Sequence, residues 1–283
     1  MSCPVCGAEL EPARAFAAAG LECCTACGLH VSAVEDDAGA GRATYADDRY
    51  LAARSAVQWH EVQRRHEARV RLRWMRRWLA QGELFEVGAA AGWFLDEAAR
   101  SGYRVRGVEP SPRLSDHARR VAGRDVATGY AEDIATVPSA DAACLWHVLE
   151  HGAQPVTLLR AAAAQLRPGG LVFVEVPNIA SPAAQRMGSR WSSLEAGFHL
   201  VHFTPGALRA GLERAGLVVL RIESVPAATY LRPVAWADPR RVLGALRAAW
   251  RARAAFRTHP WRGELLRAVA QRPAPVAGKP AAG

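Results

Sequence analysis

Half of the 283 residues are hydrophobic, yet no apolar run approaches the roughly 18 residues that a membrane span requires. Length and apolar content imply one full domain with a small appendage. Met1-Ser2-Cys3-Pro4 lacks a basic stretch followed by an apolar one, so no secretory signal is expected and the cytoplasm is the expected location. Beyond residue 27 cysteine is nearly absent, Cys144 being the one exception, which argues against a disulfide framework. The glycine-bearing stretch Gly88-Ala89-Ala90-Ala91-Gly92 is followed by no Lys-Ser or Lys-Thr, so it is not a phosphate-cradling P-loop. Its Gly-x-x-x-Gly spacing also misses the Gly-x-Gly-x-x-Gly of dinucleotide enzymes.

Five of the six cysteines fall within the first 27 residues. Cys3-Pro4-Val5-Cys6-Gly7 and Cys24-Thr25-Ala26-Cys27-Gly28 are two Cys-x-x-Cys-Gly turns, with 17 residues between Cys6 and Cys24. Each turn aims two thiolates at one centre, and four thiolates suit tetrahedral Zn²⁺. Cys3, Cys6, Cys24 and Cys27 are therefore the expected ligands, with Cys23 out of register. With every position filled by protein, such a zinc is structural.

Leu84 to Val87 is an apolar run interrupted by Glu86. The small-residue turn follows, and Trp93-Phe94-Leu95 opens an amphipathic segment. That reads as a buried strand, a tight loop and a helix N-terminus. Gly88 and Gly92 allow a sharp turn and close approach of a ligand. Tyr103 to Glu109 reads as a second strand ending in an acid, 17 residues beyond Gly92, where a carboxylate can accept from both hydroxyls of a ribose. Asp141 to His151 and Leu166 to Asn178 supply two further strand patterns, the first running into Leu149-Glu150-His151 and the second opened by Leu166-Arg167-Pro168-Gly169-Gly170.

In this order and spacing the motifs resemble those of the class I S-adenosylmethionine-dependent methyltransferases, over roughly residues 45–272. One departure is Ala90, where that family usually carries glycine. The resemblance implies an α/β fold, a doubly wound, mostly parallel seven-stranded sheet of the Rossmann-like methyltransferase type, preceded here by a small zinc ribbon. A similar ribbon precedes the catalytic domain in a subset of bacterial methyltransferases. The implied cofactor is S-adenosyl-L-methionine: Gly88, Ala90 and Gly92 against its methionine moiety, Glu86 near the amino end, Glu109 on the ribose, Glu132 or Asp133 near the adenine, and His147 at a strand end facing the crevice. For Glu132 and Asp133 a solvated loop acid is the alternative reading.

The expected organisation is a ribbon over 1–40, a connecting helical segment over 45–80, a methyltransferase domain over 81–272 and a disordered Pro/Ala/Gly-rich tail over 273–283. Val62, His66, Val70, Trp74 and Trp78 recur at helical spacing among seven arginines between Arg64 and Arg77. A helix packed on the domain with a wet basic face is the favoured reading, a contact surface for a phosphate-bearing partner the minority one. Leu217 to Val225 reads as the sixth strand and Glu264 to Ala270 as an antiparallel seventh. Between them, 226–263 forms a basic insertion. Its amphipathic stretch 239–258 packs on the domain or, in the alternative reading, meets a membrane surface. The formal charge of +9, supplied mostly by arginine, implies a solvated surface first and an acidic partner second.

Of the histidines in the second half of the chain, His147, His151, His199 and His202 are the candidates. Histidine best suits proton removal near neutral pH. His199 is the first candidate base and His147 the second, while His151 caps or packs. The expected reaction is O- or C-methylation of a small-molecule or sugar-type acceptor. The alternatives are an RNA base methyltransferase, which would bind nucleic acid, and a non-catalytic cofactor-binding protein of the same fold.

Overall fold

A computed structural model describes residues 2–32, 57–120, 122–195, 197–227 and 261–274. The linker at 35–42, most of the insertion with its stretch 239–258, and most of the tail lie outside the described residues.

The main sheet has seven strands: β4 (Glu83–Val87), β5 (Arg104–Glu109), β6 (Asp125–Thr128), β7 (Ala140–Trp146), β8 (Leu166–Pro177), β10 (Val218–Val225) and β11 (Leu265–Gln271). Their spatial order is β10-β11-β8-β7-β4-β5-β6. Strands β4 to β8 pair in parallel, and β11 runs antiparallel to both β8 and β10. This is the expected doubly wound sheet with its inserted antiparallel strand. The central strands are nearly continuous apolar runs because both faces are covered, with Phe85, Cys144, Leu145, Phe173 and Val174 all almost fully buried.

Helices α1 (Val57–Met75), α2 (Trp93–Arg100), α3 (Pro112–Arg120), α4 (Pro155–Ala164), α5 (Pro182–Met187) and α6 (Pro205–Arg214) flank the sheet or close its edges. Thr204 caps α6, its hydroxyl accepting from the Ala207 amide at 3.1 Å with Pro205 in the first turn. Strand β8 begins at Leu166 itself. Gly169 adopts φ +78°, and its amide donates to the Arg272 carbonyl at 3.0 Å, so the Pro-Gly-Gly turn is absorbed into the strand as an irregularity.

The basic face of α1 and the turn after it is wet at Arg69, Arg73, Arg76 and Arg77, which are exposed, but several of its arginines are also paired with acids. Arg65 reaches Asp96 on α2 at 2.6 Å, and Arg69 forks onto Glu97 at 2.8 and 3.0 Å. Arg71 is itself buried against Glu175. Val70 and Trp74 face the core, as their spacing implied, but Val62 and Trp78 are exposed.

A second, four-stranded antiparallel sheet joins β1 (Leu10–Pro12), β2 (Leu21–Cys24) and β3 (His30–Ser32) to β9 (Val201–His202). Its last strand comes from the far half of the chain. The cysteine module is thus stitched into the domain rather than hanging from it.

Candidate active site and cysteine centre

The sheet reverses its winding between β4 and β7, and a ligand crevice opens at the carboxyl ends of strands around such a switch point. Gly88 follows β4, Glu109 ends β5 and His147 follows β7, so the topology gathers these three at one edge.

The loop after β4 is built for close approach. Gly88 and Gly92 take φ +69° and +80°, and a Cβ on Gly88 would stand 2.7 Å from the Val148 side chain. Ala90 also enters the left-handed region, at φ +47°. Its amide donates to Glu109 Oε2 at 2.8 Å, while the Ser111 amide donates to Oε1 at 3.0 Å. Each Glu109 oxygen keeps a further lone pair, which is what two ribose hydroxyls require. Burial pushes the Glu109 carboxyl upward, and the two backbone donors oppose that shift.

Glu86 is fully enclosed, and its Oε2 has no hydrogen-bond partner. Burial drives its carboxyl well above the ordinary range, with Arg71 acting against the shift and Glu109 with it. A buried, unpartnered carboxylate oxygen beside a glycine cradle calls for a cationic or donor-rich ligand. The amino group of S-adenosylmethionine meets that description, so the residues present fit the cofactor. Glu132 and Asp133 lie exposed in the turn beyond β6.

Strand β7 delivers His147 in the left-handed region, at φ +57°. Its Nδ1 stands 3.1 Å from Glu150 Oε1, and its Nε2 3.3 Å from Glu175 Oε1. Burial disfavours a charged imidazole here, but the two carboxylates prevail and raise its pKa to about 9. At neutral pH His147 is therefore a cation clamped between two acids, which is the wrong state for the base it was expected to provide. Glu175 in turn accepts from Arg71 at 2.8 Å and from Arg267 at 2.8 Å.

His199 is buried, and its Nδ1 stands 2.8 Å from the Ser193 carbonyl. Its ring meets that of His151 edge-on at 4.7 Å, and His202 lies 6.1 Å away. His151, read from sequence as a cap or packing residue, holds Nδ1 3.0 Å from the Phe198 carbonyl. A carbonyl accepts only from N–H, so in the neutral form of either ring the lone pair falls on Nε2. His202 is kept neutral, its pKa pushed down to about 3 by burial and by His199 and His30. Glu150 and Glu175 had been given no role. Glu150 carried a signal in its spacing of three from His147. Glu175 carried one as an acid inside the apolar run Leu171 to Val176, where an unpaired charge would be prohibitive.

At the other end of the chain, the sulfurs of Cys3, Cys6, Cys24 and Cys27 all lie within 4.8 Å of one another. Cys3 and Cys27 stand 3.6 Å apart, and Cys6 and Cys24 3.4 Å. Tetrahedral zinc with bonds of about 2.3 Å separates its sulfurs by roughly 3.8 Å. The two turns repeat one hydrogen bond, the Gly7 amide to the Cys3 carbonyl at 2.9 Å and the Gly28 amide to the Cys24 carbonyl at 3.0 Å. Cys23 is outside the cluster.

This sheet, with its switch-point loop and strand-end acid, defines a class I S-adenosylmethionine-dependent methyltransferase. Residues 58–222 match the family described as "Methyltransferase domain", and the chain belongs to it. Among curated proteins it is 30% identical over 154 residues to the ubiquinone biosynthesis O-methyltransferase of Xanthomonas axonopodis pv. citri, covering 49% of this chain and 63% of that protein. The chain thus spans less than two thirds of that relative. A methyltransferase from Archaeoglobus fulgidus superposes with a TM-score of 0.53 at 16% identity, over 76% of this chain and 98% of that one. The cyclase SpnF superposes with a TM-score of 0.51 at 18% identity, over 73% and 82%. A cyclase among the neighbours means that the fold alone does not fix the reaction. Among the described residues, no helix is long and apolar enough to cross a membrane.

Proposed function

We propose that the chain transfers a methyl group from S-adenosylmethionine to an oxygen of a small-molecule or sugar-type acceptor, and that its four N-terminal cysteines hold a structural zinc. Glu86 would hold the amino end of the cofactor, the backbone from Gly88 to Gly92 its methionine moiety, and Glu109 its ribose. Bound there, the cofactor supplies a methyl group activated as a sulfonium. The remaining tasks fall to the protein: orienting the acceptor, excluding water and receiving its proton.

The observation that carries this reading is the pair of Nε2 lone pairs on His151 and His199. Both are fixed by backbone carbonyls beside the strand-end crevice. A neutral imidazole with its lone pair presented is the state that removes a hydroxyl proton. The named relative, an O-methyltransferase, supports oxygen over carbon as the accepting atom. A phosphate-backbone acceptor loses part of its support because Arg65, Arg69 and Arg71, three of the seven arginines between Arg64 and Arg77, are engaged by Asp96, Glu97 and Glu175.

Methyl-labelled cofactor incubated with the protein and cell extract should yield a labelled small product whose mass analysis places the methyl on oxygen. Label appearing in RNA, with protein binding that collapses steeply as salt rises, would replace this reading with the nucleic-acid one.

A further inference from the structure

Glu150, His151 and His199 place one carboxylate oxygen and two imidazole nitrogens within 4.8 Å of one another, on the acceptor side and apart from the cysteines. We propose that these three side chains bind a divalent transition metal, a second metal site in the chain.

The donor set is assembled as metal ligands are. The second polar atom of every ligand is held in place: Glu150 Oε1 by His147 at 3.1 Å, His151 Nδ1 by the Phe198 carbonyl at 3.0 Å, and His199 Nδ1 by the Ser193 carbonyl at 2.8 Å. Outer partners of this kind fix the tautomer and aim of a ligand.

A second observation points to a missing cation. Glu150 is 1% exposed, and its Oε2, the oxygen not used by His147, meets no donor. A buried anionic oxygen beside the lone-pair faces of two imidazoles is costly unless a positive centre lies among them. Bonds of about 2.0–2.2 Å would draw the three donors to within roughly 3.5 Å, a change side-chain rotation can supply. Two imidazoles and one carboxylate suit Zn²⁺, Fe²⁺ or Co²⁺ rather than Mg²⁺ or Ca²⁺, and leave positions open for an oxygen ligand. On the proposed function, that ligand would be the acceptor hydroxyl: the metal would lower its pKa, taking the place of the proton removal that the two Nε2 lone pairs offer while they are uncoordinated. The site itself does not depend on that reading. Glu195 Oε2 lies 3.8 Å from His199 Nε2, and a simple ion pair there is the competing arrangement.

The test is cobalt(II) titration of the full chain with its cysteine site already zinc-loaded. About one further equivalent should bind, giving weak visible bands without thiolate charge transfer, because its donors are nitrogen and oxygen. Glu150→Gln and His199→Ala should each weaken that binding at least about tenfold, with the melting temperature checked in parallel. Glu195→Gln should leave it within about twofold, since that residue is outside the proposed set. Imidazole nitrogen NMR of the wild type gives a reading independent of any variant: two Nε2 resonances should move on adding zinc. Absence of a second equivalent, unmoved imidazole resonances, or binding indifferent to both substitutions would overturn the site. Calorimetric titration of S-adenosylmethionine into the same sample reports separately on the cofactor assignment, so the two readings fail independently.

Discussion

His30 and His202 stand opposite each other across the β3–β9 pair, and that two-residue ladder joins the cysteine-bearing sheet to the segment that carries His199. Ser32 reinforces the seam, its amide donating to the Leu200 carbonyl and its hydroxyl to the His199 carbonyl, both at 2.9 Å. The ribbon therefore props the segment that carries His199 directly.

From that seam follows the first expectation. Cys24→Ser should release about one equivalent of zinc and lower the melting temperature by roughly 6–12 °C, as a loss of about 3 kcal/mol does in a domain of this size. Cys23→Ser should keep the metal. Acceptor KM should rise before cofactor affinity changes, since His199 is tied to the ribbon and Glu109 is not. Metal analysis showing equal loss from both variants would undo the assignment of the four ligands.

A second expectation concerns pH. The pKa of His147 rises from its ordinary 6.5 to about 9 in the folded chain, against burial, through Glu150 and Glu175. A group whose folded pKa is raised contributes stability that is complete below the unfolded value and lost as pH climbs through the folded one. The ion pair should thus contribute fully below about pH 6.5 and fade by about pH 9, worth at most about 3 kcal/mol. Urea denaturation of wild type and His147→Gln should show a gap at pH 6 that narrows toward pH 9.5. A constant gap would mean that the histidine is not the titrating group.

Much of this was legible in the chain. The ordered motifs from Leu84 to Asn178 gave the parallel sheet, Glu264 to Ala270 its antiparallel seventh strand, and two Cys-x-x-Cys turns the cysteine cluster, because each depends on local spacing that a fold must respect. The charge pairing was not legible. Arg69 meets Glu97 across two helices, and Arg71 and Arg267 converge on Glu175 from elements far apart in sequence, so no local pattern records them. For the same reason His147 looked like a free base. Its partner three residues away is visible in the sequence, but the second, on a neighbouring strand, appears only once β7 and β8 are paired. The seam between β3 and β9 was hidden too, since two residues are too short a strand to announce themselves.

Glu86 offers a third test. Its buried, unpartnered oxygen penalises the chain without ligand, so Glu86→Gln should hold or raise the melting temperature of the free protein. The same change should weaken S-adenosylmethionine binding by about 1.5–3 kcal/mol, the worth of a hydrogen bond to a charged group. Calorimetry showing unchanged affinity would remove Glu86 from the site.

Glu109 should behave differently, because it also orders the loop. Glu109→Ala strands the amides of Ala90 and Ser111 and should cost stability as well as about 1.5–3 kcal/mol of cofactor binding. Paired melting and calorimetric curves separate the two acids: both quantities fall for Glu109→Ala, only binding for Glu86→Gln. Full affinity in the alanine variant would disconnect this strand end from the ribose.

Ala90 is the position at which this chain departs from the glycine that the resemblance implies, and the structure bounds what that departure costs. At φ +47° a methyl group crowds the following carbonyl, a strain of about 1–2 kcal/mol. Glycine would relieve it, but would enlarge the unfolded ensemble by about 0.4–1 kcal/mol. The two nearly cancel, so Ala90→Gly should leave the melting temperature within about 4 °C of wild type. A smaller residue should also preserve or tighten cofactor binding, because the amide that donates to Glu109 is retained. Ala90→Val should do neither. A branched side chain is far less tolerant of the left-handed region, so the loop must either hold the strain or leave its conformation and lose the bond to Glu109. Stability and cofactor affinity should then fall together, each by about 2 kcal/mol. If thermal melts and calorimetry find the valine variant equal to wild type in both, the loop is not held in the conformation on which the cofactor site is built.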